Sequence, residues 1–153
     1  MIEIIRTNSD NTDFCELVSL LDEYLKIRDG EEHAFYAQFN NIDTIKHVVV
    51  AYNNSVPAGC GAIKAYTDDI AEVKRIFVQP AFRGQGIARE ILSVLEAWAK
   101  ELHFTTCILE TGKNQPEAIS LYYKAGYHLI PSYGQYKNVE NSVCMKRSLT
   151  KVD

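Results

Sequence analysis

Two kinds of hydrophobic pattern alternate along the 153-residue chain. Short apolar and β-branched runs predict strands over residues 2–6, 47–52, 58–66, 70–78, 105–110, 127–130 and 142–149. Apolar residues at three-four spacing predict helices over residues 14–25, 87–102 and 116–125, and a broad aromatic face predicts one more over 31–40. Turn residues separate the second, third and fourth strands, which favours an antiparallel meander.

The strand over residues 70–78 leads into the stretch that organises the middle of the chain. Gln79-Pro80 ends this strand, because proline lacks an N–H and cannot continue a ladder. Residues 83–88 follow as a glycine-bearing loop that opens the helix over 87–102. The strand over 105–110 completes a βαβ unit, so the two strands are predicted to be parallel neighbours.

Composition and charge limit the classes of function. The chain is 46% apolar and 24% charged, which is typical of a globular protein and indicates one domain over residues 1–153. A net charge of −4 weighs against non-specific nucleic-acid binding. Four cysteines without metal-ligand spacing (Cys15, Cys60, Cys107 and Cys144) are interpreted as reduced thiols, and no metal site is expected. The sequence carries neither a signal-peptide pattern nor a membrane-length apolar run, so a cytoplasmic protein is expected.

The loop over residues 83–88 has the chemistry of an anion site. At the start of a helix, free backbone N–H groups and the positive end of the helix dipole point in one direction. A P-loop is excluded because no Gly-Lys-Ser/Thr ending is present. A Rossmann fingerprint is excluded because Gly84 and Gly86 are followed by Arg89, where the third glycine would stand.

Two motifs carry a resemblance to a known family. Arg83-x-x-Gly86-x-Ala88 resembles the Gln/Arg-x-x-Gly-x-Gly/Ala loop with which the GNAT superfamily of N-acetyltransferases holds the pyrophosphate of acetyl-CoA. Residues 115–127 resemble that family's Asn-x-x-Ala-x-x-Leu-Tyr-x-x-x-Gly-Phe motif. The second motif follows the first after one helix and one strand, as in the family, and the resemblance covers roughly residues 45–130.

The resemblance implies an α+β fold, with a mixed, mostly antiparallel sheet of six to seven strands flanked by about four helices, and acetyl-CoA as co-substrate. In the family the pantetheine arm pairs with backbone groups of the strand that enters the loop. The implied cofactor-binding residues are therefore Ile76, Phe77 and Val78 on the strand and Arg83, Gly84, Gln85, Gly86, Ile87 and Ala88 in the loop. The position of the motif's asparagine is held by Gln115, and Asn114, one residue earlier, is the alternative contact.

The resemblance also implies a catalytic set. Tyr122 matches the tyrosine that protonates the departing thiolate, a role that suits a phenol. Glu72 lies where some family members keep a general base and Glu110 where others keep theirs, and a chain of waters is a third possibility. The helices over residues 14–25 and 31–40 are expected to help choose the acceptor.

The resemblance therefore implies an acetyl-CoA-dependent N-acetyltransferase that acts by direct attack, in a ternary complex, on a primary amine of a small molecule or a protein. The alternative is a CoA-binding regulatory or protein-interaction module that keeps the fold without turnover. The acceptor stays open; acidic residues at 31, 32, 68 and 69 would suit a polyamine. Neither a nucleic-acid nor a membrane partner is expected, and a homodimer is compatible with the family.

Overall fold

The computed structural model describes residues 1–29 and 45–150. Those residues form, in order, β1 (Ile2–Thr7), α1 (Thr12–Asp29), β2 (His47–Asn53), β3 (Val56–Ala65), β4 (Ile70–Val78), α2 (Ile87–Glu101), β5 (Thr106–Gly112), α3 (Pro116–Lys124), β6 (His128–Ile130) and β7 (Ser142–Ser148). All seven predicted strands and three of the predicted helices are present, with bounds that differ by at most a few residues. The helical segment predicted over 31–40 lies outside the described residues.

The seven strands form one sheet in the order β1-β2-β3-β4-β5-β7-β6. Strands β4 and β5 are parallel, as the βαβ pattern predicts, and the other neighbouring pairs are antiparallel. The mixed, mostly antiparallel sheet and its flanking helices confirm the predicted α+β fold.

The parallel contact between β4 and β5 is short. Residues 70–72 pair with residues 106–108, and the pairing then stops, although β4 continues to Val78 and β5 to Gly112. Beyond Glu72 no strand in the described part of the chain pairs with this edge of β4. The two strands therefore enclose an open wedge at their carboxyl ends.

A bulge bends β4 within this unpaired stretch. Cys60 of β3 pairs with Phe77 and Ala62 pairs with Lys74, so Arg75 and Ile76 lie together opposite a single residue of β3. Arg75 has a φ of 63°, in the left-handed region that non-glycine residues rarely adopt. Bulges bend a strand and redirect its side chains, so this one governs what β4 presents to the wedge.

The sheet is covered on both faces, which explains the nearly continuous apolar runs in its central strands. Helix α1 packs through Phe14, Leu17 and Val18 on one face, and α2 packs through its own apolar stripe on the other. Gly61 permits a close approach of α2, because a Cβ there would lie 2.8 Å from Ile91 Cγ2 and 2.7 Å from Ile76 Cδ1. This packing fixes the amino end of α2 against the sheet.

A buried carboxylate ties α2 to the last strands. Glu96 is only 8% exposed, and it accepts hydrogen bonds from Tyr127 Oη at 2.9 Å and Arg147 Nη1 at 2.7 Å. Glu96→Ala leaves both donors without their acceptor, and we expect it to lower the free energy of unfolding by about 2 kcal/mol in urea titrations. Glu90→Ala, at an exposed site on the same helix, is the control and should change it by less than about 0.5 kcal/mol. Equal losses in the two variants would contradict this assignment.

Candidate active site

A cavity of about 360 Å³ lies in the wedge between β4 and β5. Its walls are β4 from Glu72 to Val78, residues 110–112 of β5, the first two turns of α3 and the inner side of α1. Arg83 and Ala88 of the β4–α2 loop also line it. The wedge therefore brings together, on one cavity, both sequence motifs and the strand that precedes the first of them.

The β4–α2 loop leaves the amino end of α2 open. Gly86 is the N-cap residue that immediately precedes α2, with a φ of 78°, and no side chain caps the helix. Gly84 also has a positive φ, of 82°, and a Cβ at either glycine would meet nothing within 4 Å. The amino end of α2 therefore has no side-chain cap and adjoins open space beside both glycines, an arrangement that suits anion binding by the first N–H groups of a helix.

Side chains of the loop point in several directions. Arg83 Nε donates a hydrogen bond to the Val78 carbonyl at 3.0 Å, and its guanidinium lies 4.9 Å from the centre of the Tyr24 ring on α1. Gln85 Oε1 accepts a hydrogen bond from Asn53, away from the cavity lining, and Ile87 is buried in the core beneath α2. Of the loop residues predicted to bind the cofactor, Arg83 and Ala88 line the cavity.

The structure separates the two residues proposed for the motif's asparagine position. Gln115 immediately precedes α3, is half-buried and lines the cavity. Asn114 is exposed and does not line the cavity. The geometry therefore places the Gln115 side chain, rather than that of Asn114, beside the wedge.

Tyr122 of α3 is enclosed where the cavity meets the core. It is 6% exposed, and its ring packs against Tyr127 with centroids 5.9 Å apart. Burial, together with the charge of Glu110, raises the pKa of the Tyr122 phenol above its ordinary value. Tyr122 is therefore a protonated donor at the wall of the cavity, whereas its neighbour Tyr123 is 48% exposed.

Glu72 and Glu110 lie on the same face of the sheet. Glu72 is in register with Ile108, and Glu110 is two residues further along β5, where side chains return to the same face. Glu72 is 8% exposed; its Oε2 accepts a hydrogen bond from Tyr133 Oη at 2.7 Å. Ser142 Oγ donates to Glu110 Oε2 at 3.3 Å. Both carboxylates line the cavity and are held by hydroxyl groups from the carboxyl-terminal part of the chain.

Several cavity residues were not predicted from the sequence. Tyr136 lines the cavity, and Tyr133 packs against it with ring centroids 5.7 Å apart. The available signal was their spacing of three residues, which places side chains on one side of a 3-10 turn such as Gly134–Tyr136. Lys74 and Arg75 were predicted only as strand residues, yet both line the cavity, and Lys74 Nζ lies 3.8 Å from Glu72 Oε1.

Comparison with known proteins gives consistent matches. Residues 14–127 match the family model described as the acetyltransferase (GNAT) family. An IAA acetyltransferase of Azospirillum brasilense is 37% identical over 102 residues, which are 66% of this chain and 67% of that protein. YjgM of Escherichia coli, described as an uncharacterized N-acetyltransferase, is 30% identical over 132 residues, 84% of this chain and 72% of that protein.

Solved structures share the whole fold. A Klebsiella pneumoniae protein assigned to the acyl-CoA N-acyltransferases superposes with a TM-score of 0.83 at 26% identity, covering 98% of this chain and 99% of that one. An Elizabethkingia anophelis GNAT family acetyltransferase with acetyl-CoA bound gives a TM-score of 0.68 at 17% identity, covering 96% and 97% of the two chains. None of the three described helices has the length and hydrophobicity that crossing a membrane would require.

Proposed function

The chain belongs to the acetyltransferase (GNAT) family, and we propose that it transfers the acetyl group of acetyl-CoA to a primary amine inside the cavity between β4 and β5. One observation carries the proposal: an unpaired strand edge, an open helix amino end and a buried tyrosine all border the same cavity. The Elizabethkingia protein with the same fold has acetyl-CoA bound, which supports this choice of donor.

Main-chain groups accommodate acetyl-CoA at two places along its length. The diphosphate accepts hydrogen bonds from the first N–H groups of α2, where Gly84 and Gly86 allow close approach. The pantetheine arm runs into the wedge as an additional strand and pairs with the edge of β4 that no described strand covers, along residues 76–78, where the Val78 carbonyl also accepts from Arg83 Nε. Gln115 contacts the arm from the opposite wall.

The reaction requires a base that takes a proton from the amine nitrogen and an acid that gives a proton to the departing thiolate. The amine nitrogen attacks the thioester carbonyl carbon, whose oxygen is polarised by a β4 backbone N–H. The C–S bond then breaks, and the thiolate takes the proton of Tyr122 Oη, while the proton lost by the nitrogen passes to Glu72 or Glu110, directly or through water. The products are the N-acetylated amine and CoA.

Glu72 is the first of the two carboxylates to test, because it is the more buried of the two and is oriented by Tyr133. If Glu72 is the base, Glu72→Gln lowers kcat/KM by about 100-fold, because the amide cannot take up the proton of the amine. Glu110→Gln is the matched variant on β5 and should retain most of the wild-type kcat/KM. The reverse result would transfer the role to Glu110, and a nearly wild-type kcat/KM in both variants would leave water as the base.

Binding and turnover test the proposed function separately. Calorimetry with acetyl-CoA, using ATP and NAD as controls, should show selective binding of acetyl-CoA. Release of free CoA thiol in the presence of a panel of primary amines should then show acetyl transfer. Failure to bind acetyl-CoA would contradict the proposed function. Binding without thiol release from any amine would instead support a CoA-binding module that has lost turnover.

A further inference from the structure

Arg75 is buried, and two of its three guanidinium nitrogens have no hydrogen-bond partner in the described part of the chain. Its side chain is only 3% exposed, and Nη1 lies 3.8 Å from Asp22 Oδ1 on α1. Nε and Nη2 have no hydrogen-bond partner within residues 1–29 and 45–150. A buried cationic donor without a partner is costly, so a native structure that keeps one calls for an explanation.

The two unsatisfied atoms form one edge of the guanidinium. Nε–H and the inner N–H of Nη2 point in parallel, in the geometry that accepts both oxygens of a carboxylate. Nη1, on the other edge, is the atom that faces Asp22. The edge that lacks a hydrogen-bond partner is therefore shaped for a single bidentate anion.

The backbone holds Arg75 in this position. Its φ of 63° at the bulge is unfavourable for a residue with a Cβ. Its backbone carbonyl accepts a hydrogen bond from Cys60 Sγ at 3.3 Å. The bulge directs the side chain toward Asp22 of α1, and Arg75 and Tyr136 are both among the residues that line the cavity. Backbone strain and an unsatisfied cation thus coincide at one residue of the cavity wall.

The position along β4 indicates what Arg75 meets. Val78, at the end of the strand, is three residues nearer to the diphosphate loop, which corresponds to roughly 10 Å of extended chain. Acetyl-CoA contains phosphates and amides but no carboxylate, and its phosphates belong at that loop. The anion that fits the unpaired edge of Arg75 therefore comes from the second substrate.

We propose that Arg75 binds a carboxylate carried by the amine acceptor, so that the acceptor class is amines that also bear a carboxylate. This inference rests on the proposed function. Glu72 and Glu110, which line the same cavity, provide negative charge for the ammonium group of the acceptor, and Arg75 provides positive charge for its carboxylate. The acceptor is accordingly bound as a zwitterion before its amine is deprotonated.

Matched acceptor pairs test the inference. Values of kcat/KM are measured with phenylalanine against phenethylamine and with γ-aminobutyrate against propylamine, while glycyl-phenylalanine and its amide report on peptide carboxylates. The wild type should prefer the carboxylate member of at least one pair. Arg75→Gln should lower kcat/KM for that member by roughly 10- to 100-fold and leave its partner nearly unchanged. Arg75→Lys should restore part of the preference, because it keeps the charge without the fork.

Arg6→Gln is the control, since Arg6 pairs with Glu101 on the surface, away from the cavity lining. It should retain the wild-type preference. Absence of a preference in the wild type, or equal loss with both members of a pair in Arg75→Gln, would overturn the inference while acetyl transfer itself still stands.

A binding measurement on the wild type keeps the inference testable if Arg75→Gln does not fold or if no amine is turned over. Calorimetric titration in the presence of CoA should detect binding of a carboxylate probe such as phenylalanine and none of its decarboxylated partner. Equal binding of the two, or binding of no carboxylate probe, counts against Arg75. Failure of the proposed function appears separately, as absence of thiol release with every amine.

Discussion

Replacing Tyr122 by phenylalanine is expected to lower kcat by about 100- to 10,000-fold, the range that a positioned general acid contributes. The phenol borders the cavity, is almost fully buried and has no competing position in the sequence motif. Affinity for acetyl-CoA should stay within about threefold, because phenylalanine keeps the ring packing against Tyr127. Steady-state kinetics and calorimetry on the same preparation measure the two effects.

The pH dependence gives the same assignment a second test. The folded-state pKa of Tyr122 is raised, so its proton is retained over the whole range below its ordinary value of about 10. Loss of activity on the alkaline side below that pH should therefore not come from Tyr122, and Tyr122→Phe should lower the profile without moving its limbs. Tyr123→Phe, on the exposed face of the same helix, is the control and should remain fully active. A fully active Tyr122→Phe enzyme would remove Tyr122 from the mechanism.

Gly86→Val is expected to raise the Kd for acetyl-CoA by roughly 10- to 100-fold, equivalent to the loss of one or more hydrogen bonds to a charged phosphate. The φ of 78° is strained for a β-branched residue, and the new side chain occupies the open space in front of the first amides of α2. The strain alone should lower the free energy of unfolding by about 1–2 kcal/mol. Calorimetry and thermal unfolding report the two effects independently.

A pair of alanine variants separates strain from recognition. Gly126, just after α3, also has a positive φ, of 98°, but lies away from the loop. Gly126→Ala should destabilise the protein about as much as Gly86→Ala and leave acetyl-CoA affinity unchanged. If both variants weakened binding equally, the loop would have no direct part in holding the diphosphate.

Local sequence patterns predicted most of the fold, because each helix or strand has a recognisable spacing of apolar residues within its own segment. The three-four spacing of α2 and the apolar runs of β2 and β3 depend on burial that repeats along the chain. The insertion of β7 between β5 and β6 was not predicted, since that pairing joins residues far apart in sequence. The second motif was sufficient to single out Tyr122 from Tyr123, because a helix turns neighbouring residues to different faces.

The wedge and Arg75 show what local patterns miss. The wedge forms where the pairing of β4 with β5 stops, and the position of that point depends on where β4 bends away from β5. The bend comes from a bulge at Arg75, a non-glycine residue with a positive φ. The residue type at this position does not predict such a conformation. Simple alternation along β4 would also have assigned Arg75 to the wrong face, because the extra residue of the bulge shifts the phase of every side chain after it.

The edge of β4 that no described strand covers consists of main-chain N–H and C=O groups. Side-chain substitutions do not remove these groups, and this limits what mutational scanning can detect. Alanine at Ile76, Phe77 or Val78 keeps every N–H and C=O of that edge and removes packing instead, since Phe77 and Val78 are buried in the cores on opposite faces of the sheet. A scan across these positions would therefore report lost packing and leave the main-chain hydrogen bonds untested. Exchanging single amides for esters would reveal it, because that change deletes one donor without touching a side chain.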